Sequence, residues 1–307
     1  MEIIREIDRL ASHPYPVVAL GNFDGVHVGH RAILKTAIDR ARAASGTAFA
    51  VTFNPLPSKV LAPAHAPRLI LTPEDKLELL RQSGIDGVIV ITFTPALSQV
   101  TAVDFVRDYL LGKIGARSVV VGHSVNFGHD RAGNAELMAE LGRQMGFETT
   151  VVGPVTVKGA EVSSTRIREL ITAGEMRAAA RLLGREHFLS GTIVHGRERG
   201  RTIGFPTANL ETATECLPPD GVYATRVVLP DGSFASITNI GMRPTFAEPA
   251  HTIEAHIFDF GRNIYGARIR LEIVERIRSE RKFESGQALA EQIAQDLARA
   301  KEILAAA

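Results

Sequence analysis

From Val17 to about Val152 the chain alternates short apolar runs with stretches of helical spacing. The runs are "VVAL" (17–20), "FAVTF" (49–53), "GVIVI" (87–91), "SVVV" (118–121) and "TTVV" (149–152). Unbroken runs of this length, rich in Val and Ile, fit strands buried on both faces. After the first run Ile33, Leu34, Ala37, Ile38 and Ala41 recur at helical intervals. "PEDKLELLRQSG" predicts a second helix, with Thr72 as N-cap, Pro73 at its first position and Gly84 as its stop. Strands and helices in this order predict a parallel sheet flanked by helices, a Rossmann-like α/β domain. Its ligands would bind at the carboxyl ends of the strands.

After about Gly184 the period shortens from helical to two. "ARIRLEIVERIR" places Ile269, Leu271, Ile273 and Ile277 on one face, and Arg268, Arg270, Glu272, Arg276 and Arg278 on the other. "GVYATRVVLPDGSFASITNIG" predicts a hairpin around Pro230-Asp231-Gly232. Several short strands in a row predict a small antiparallel β-barrel. A C-terminal helix follows, with an apolar stripe of Leu289, Ile293, Leu297 and Leu304. The boundary is set at Arg185, giving domains 1–184 and 185–307.

Charge and cysteine content narrow the classes. Lys+Arg number 35 and Asp+Glu 34, a net charge of +1, which gives no footprint for nucleic acid or an anionic membrane. The one cysteine, Cys216, excludes an internal disulfide and a Cys-rich zinc site. No apolar run approaches the roughly 18 residues of a membrane span, and "MEIIREIDRL" does not read as a signal peptide. A cytoplasmic protein, monomeric or weakly homo-oligomeric, is expected.

The candidate chemistry begins where the first strand hands over to the first helix. "GNFDGVHVGH" holds Gly21, Asn22, Phe23, Asp24, Gly25 and Gly29 beside His27 and His30. A helix N-terminus favours phosphate, and glycines let backbone approach it closely. Two imidazoles three positions apart can donate to charge that builds up during phosphoryl or nucleotidyl transfer. The stretch resembles the H-x-G-H signature of α/β nucleotidyltransferases. More closely it resembles the adenylyltransferase module of the bacterial bifunctional riboflavin kinase/FMN adenylyltransferase (FAD synthetase) family. "VSSTRIREL" (162–170) is similar to that family's S-S-T-x-I-R segment. The resemblance implies phosphate contacts from Ser163, Ser164 and Thr165, with Arg168, His27 and His30 as catalytic residues.

The second half carries a second set of motifs. "GRTIGFPTANLE" (200–211) resembles the riboflavin kinase signature G-F-P-T-A-N. By that resemblance Gly204, Pro206, Thr207 and Asn209 bind ATP, and Thr207 and Asn209 hold its Mg²⁺, an ion that takes hard oxygen ligands. "NIGMRPTF" (239–246) and "TIEAHIFDF" (252–260) match two further segments, which makes Glu254 the catalytic base. Arg278 and Phe283 match the tail and fall to the flavin, as do Ser124 and Asn126 in the first half. The substrates implied are riboflavin, FMN, FAD and ATP, with no nucleic acid or membrane partner.

Three places depart from the family pattern. Leu56 replaces a histidine, Ser124 and Val125 replace an Asp or Asn followed by Phe, and Glu161 replaces a basic residue. They leave a second reading open: a riboflavin kinase whose first domain only binds nucleotide or flavin.

Overall fold

The computed structural model describes residues 1–196, 205–243, 250–281 and 283–306. The chain divides into two compact units, Met1–Arg68 with Pro73–Ser163, and Leu69–Thr72 with Ser164–Ala307.

The first unit is built on six parallel strands: β1 (Glu2–Ile4), β2 (Pro16–Leu20), β3 (Thr47–Phe53), β4 (Gly87–Ile91), β5 (Ser118–Gly122) and β6 (Glu148–Val152). Their order is β1-β4-β3-β2-β5-β6. A short antiparallel ribbon follows, β7 (Thr156–Val157) with β8 (Ala160–Glu161). All five predicted strands are present. β1 was missed because three residues carry no readable period. β2 and β4 are buried along their whole length, which is why they read as unbroken apolar runs. Helices α1 (Val28–Ala43), α2 (Pro57–Leu61), α3 (Pro73–Gln82) and α5 (Ala135–Met145) alternate with the strands, together with α4 (Ala102–Asp104), which runs on as a π-helical segment, Phe105–Lys113. From β2 the chain adds β3 on one side and later β5 on the other. The end of β2 is therefore a topological switch point, where open α/β sheets leave a crevice.

The second unit opens with α6 (Ser164–Ala173) and α7 (Met176–Leu183). The sequence places the boundary at Arg185, after these helices; the structure divides the chain after Ser163. The reason is packing: Met176 is buried in the barrel's interior cluster, and Arg177 pairs with Glu275. The barrel closes as β10-β13-β12-β11-β14-β9, all antiparallel. Its strands are β9 (His187–Val194), β10 (Ala208–Thr212), β11 (Gly221–Leu229), β12 (Gly232–Arg243), β13 (Ala250–Ile257) and β14 (Arg268–Ser279). The hairpin expected around Pro230-Asp231-Gly232 is present: Leu229 pairs with Gly232, which leaves Pro230 and Asp231 in the turn.

Two details correct the sequence pattern. Ile269, Leu271 and Ile273 do face the barrel interior. Between Thr225 and Ala224, however, the partner register jumps from Ile273 to Glu275, and a second jump follows at Val222. These bulges reverse the alternation. Val274 is buried beneath the terminal helix α8 (Gly286–Ala305), and Ile277 packs there too rather than with Ile273. Val274 would face that way without a bulge; what the bulge prevents is Glu275 taking the interior position two residues after Ile273, a burial costlier than the about 1 kcal/mol of ladder hydrogen bond forfeited. On α8 the buried ridge is Asp296, Ala300 and Ile303, while Leu289 and Ile293 of the expected stripe are only half-buried.

Candidate active sites

The turn after β2 is a strained, tightly packed corner. Phe23 and Val26 adopt φ of 52° and 39°, and Gly25 lies between them at 88°. Phe23 is fully buried and Asp24 nearly so, while Asn22 is exposed. His27 caps α1: its Nδ1 accepts the His30 backbone N–H at 3.2 Å. A backbone N–H can only donate, so Nδ1 is unprotonated and the neutral ring carries its proton on Nε2. The two imidazoles stack, with centroids 3.5 Å apart and planes 16° from parallel. Phe23 meets His30 edge-on at 5.3 Å. Gly29 makes the stack possible, because a Cβ there would lie 3.2 Å from the His27 ring. The Nδ1 of His30 is buried with no hydrogen-bond partner among the described residues. Burial, then His27 and Lys76, hold His30 well below the ordinary histidine range.

Lys76 is the residue that motif reasoning missed. It lies on α3 and is 8% exposed. Its Nζ donates to Thr52 Oγ1 at 3.1 Å, to the Phe53 carbonyl at 3.3 Å and to the Asn22 carbonyl at 3.4 Å. The Thr52 hydroxyl in turn donates to the same Asn22 carbonyl. Burial pushes the ammonium down to about 8, against the pull of the Asp24 carboxylate.

The family departures are placed as follows. Leu56 is buried at the start of α2. Val125 packs on the sheet's core, and Asn126 donates its amide to the Ser124 carbonyl at 2.9 Å. Glu161, the reversed charge, lies within hydrogen-bonding distance of His123 Nε2, at 3.1 Å. Ser163 closes the first unit, and Ser164, Thr165 and Arg168 lie on α6 of the second.

In the barrel, Asn209 on β10 stands directly opposite Glu254 on β13, and Glu254 opposite Asn239 on β12. Their neighbours Leu210, Ile253, Ala255 and Ile240 fill the interior, so the three polar side chains form one row on the outer face. Each is half-buried. Thr207 immediately precedes β10, and the Pro206 carbonyl accepts from His256 Nδ1 at 2.8 Å, which fixes this segment to β13. The Asn209 amide occupies the space over Gly196, where a Cβ would come within 2.1 Å of Nδ2. Gly204 lies outside the described residues. Gly241 plays a similar part for the tail, since a Cβ there would meet the Glu280 carboxylate at 2.7 Å. Arg278 is held by the buried Asp296 of α8 through contacts of 2.8 and 2.9 Å. Its guanidinium lies 5.6 Å from the Phe283 ring centroid. Among the described residues no cluster of three or more His, Cys, Asp or Glu could hold a metal. A cation here would depend on hydroxyl, amide and substrate oxygens, which suits Mg²⁺.

These two arrangements define a class: transferases that work on phosphate, with a sheet unit shaped for nucleotidyl transfer and a barrel shaped for phosphoryl transfer. The FAD synthetase family model matches residues 10–166, and the riboflavin kinase model matches 183–304. A bifunctional riboflavin kinase/FMN adenylyltransferase of Escherichia coli K12 is 35% identical over 305 residues, covering 98% of this chain and 97% of its own. The protein of the same description from Bacillus subtilis is 37% identical, covering 91% and 90%. A crystal structure described as a macrolide-efflux protein from Streptococcus pneumoniae superposes with a TM-score of 0.89 at 32% identity, covering 97% and 98%. Among the described residues of this chain no helix is long and apolar enough to cross a membrane. The chain belongs to the bifunctional riboflavin kinase/FMN adenylyltransferase family, and carries both of its enzymatic domains.

Proposed function

We propose that the barrel transfers the γ-phosphoryl group of ATP to the ribityl 5′-hydroxyl of riboflavin, with Glu254 as the base. The carboxylate takes the hydroxyl proton as that oxygen attacks phosphorus. The single observation that carries this is the register pairing of Asn209 with Glu254, which sets an ATP-side amide beside the carboxylate. Thr207 and Asn209 would hold Mg²⁺, which when bound neutralises charge on the ATP phosphates. The hard oxygen donors and the amide's reserved space over Gly196 fit that ion. Gly204 and Pro206 are assigned to ATP by the same motif, and Phe283 flanks the flavin. Arg278 acts on the flavin side through Phe283, since its own guanidinium is engaged by Asp296.

In the sheet unit the FMN phosphate attacks the α-phosphorus of a second ATP, giving FAD and pyrophosphate. His27, with its donor on Nε2, and His30 stabilise the charge that develops, and the N-terminus of α1 receives phosphate. Gly21, Asn22, Asp24, Gly25 and Gly29 shape that turn. Phosphate contacts of Ser163, Ser164, Thr165 and Arg168 rest on the resemblance of 162–170 to the family's S-S-T-x-I-R segment, and Ser124 and Asn126 flank the flavin. A chain active as a kinase alone is disfavoured, because the FAD synthetase model matches residues 10–166 and the relatives are described as bifunctional. We further infer a cytoplasmic monomer or weak homo-oligomer with small-molecule partners only, consistent with one buried cysteine and a net charge of +1.

Product chromatography after incubation with ATP and Mg²⁺ tests both halves. Wild type should give FMN and FAD from riboflavin, and FAD from FMN. Glu254→Gln should slow FMN formation by roughly 10²–10⁴-fold and leave FAD formation from FMN intact. Equal loss of both activities would remove Glu254 from the kinase role.

A further inference from the structure

Lys76 is a buried cation that no motif of the chain accounts for. Its three acceptors come from the ends of two adjacent strands: the Asn22 carbonyl just after β2, and Thr52 Oγ1 and the Phe53 carbonyl at the end of β3. An ammonium has three N–H donors, and here all three are matched. These strand ends flank the switch point, where the ligand of such a sheet lies. Anchoring the Asn22 carbonyl fixes the plane of the peptide joining Asn22 to Phe23, because that unit is rigid. Phe23 in turn packs edge-on against His30. The chain of contacts therefore runs from Lys76 through the turn to the stacked histidines.

The charge matters as well as the bonds. Taking a lysine out of water is costly, and a structural brace could be built from a neutral side chain. A protonated amine at this depth keeps a positive charge behind a turn whose ligand is an anion, in surroundings where screening by water is weak. The titratable groups that interact with it are Asp24 from the turn and His30 in the first turn of α1.

We propose that Lys76 is a positioning residue for adenylyl transfer: its ammonium holds the Asn22–Phe23 turn in place and keeps a fixed positive charge beneath the nucleotide's phosphates. The proposal rests on the reading of that turn as the ATP site.

The experiment uses the full chain, with riboflavin phosphorylation by the barrel as the internal check on folding. FAD formation from FMN is measured for wild type, Lys76→Met, Lys76→Arg and His30→Ala, with kcat and KM for ATP determined across pH. Lys76→Met should lower kcat/KM for FAD formation about a hundredfold, a 1 Å misplacement being enough for that, with the kinase rate unchanged. The wild-type rate should fall as pH rises past about 8 and the ammonium loses its proton. Lys76→Arg, which stays protonated, should lack that fall. This readout survives even if Lys76→Met fails to fold. Two outcomes overturn the proposal: FAD formation by Lys76→Met within about threefold of wild type, or the same alkaline fall in Lys76→Arg as in wild type. Full activity in His30→Ala would instead overturn the assignment of the turn itself.

Discussion

His187 should make the barrel sensitive to acid. The ring is 1% exposed at the start of β9, and its Nε2 donates to the Cys216 carbonyl at 3.0 Å. That bond leaves Nδ1 unprotonated, and Nδ1 is buried with no hydrogen-bond partner among the described residues. A second proton would place a charge there with nothing to receive it. Burial, reinforced by Arg185 and opposed by the Cys216 bond, pushes the group down to about 4 from 6.5. Between those two values the unfolded chain binds a proton that the folded chain refuses, so acidification favours unfolding. Stability from this group is intact above the unfolded value and is lost as pH falls from there toward about 4. The full effect is about 3 kcal/mol, of which about 2 kcal/mol is lost by about pH 5. Urea unfolding of the full chain measures it. The chain has no tryptophan, so far-UV circular dichroism serves as the probe. His187→Gln keeps a donor for Cys216 and does not titrate. Between about pH 7.5 and about pH 5 it should lose about 2 kcal/mol less than wild type. The difference between the two proteins cancels every other titrating group. Equal losses would refute the reasoning.

Two other substitutions test the barrel. Asp296→Ala leaves the Arg278 guanidinium without its buried partner and should cost about 3–5 kcal/mol, read as a lower urea midpoint and faster amide exchange in α8. Gly196→Ala drives a Cβ into the Asn209 amide; FMN formation should fall roughly ten- to a hundredfold, while FAD formation from FMN stays at the wild-type rate.

The sheet strands were legible because burial on both faces writes them as apolar runs, and the hairpin because Pro230-Asp231-Gly232 announces its turn. His27, His30, Asn209 and Glu254 were legible as members of separate motifs, although only pairing register sets Asn209 and Asn239 beside Glu254. Lys76 was not, because a lysine among Glu and Asp reads as part of a solvated face. Its one signal is spacing: it sits four residues before Leu80, in the buried stripe of α3. The bulges in β14 leave no sequence signal, since Ile273, Val274 and Ile277 are all apolar and only the tertiary context decides which way each points. Asp296 was invisible for another reason: its value lies in Arg278, a residue on another element.

The second unit is sewn from two pieces of chain. Leu69–Thr72 belong to it although they are synthesised within the first. Leu69 donates its backbone N–H to Glu215, 146 residues later, and accepts from the backbone N–H of Cys216. No single cut can free the kinase intact: a fragment that starts at Ser164 lacks this strap and leaves the Cys216 N–H without its acceptor. For the same reason the barrel's contacts close a loop nearly half the chain long, and such closure slows folding. The chain thus passes from one unit to the other three times, after Arg68, after Thr72 and after Ser163, rather than once.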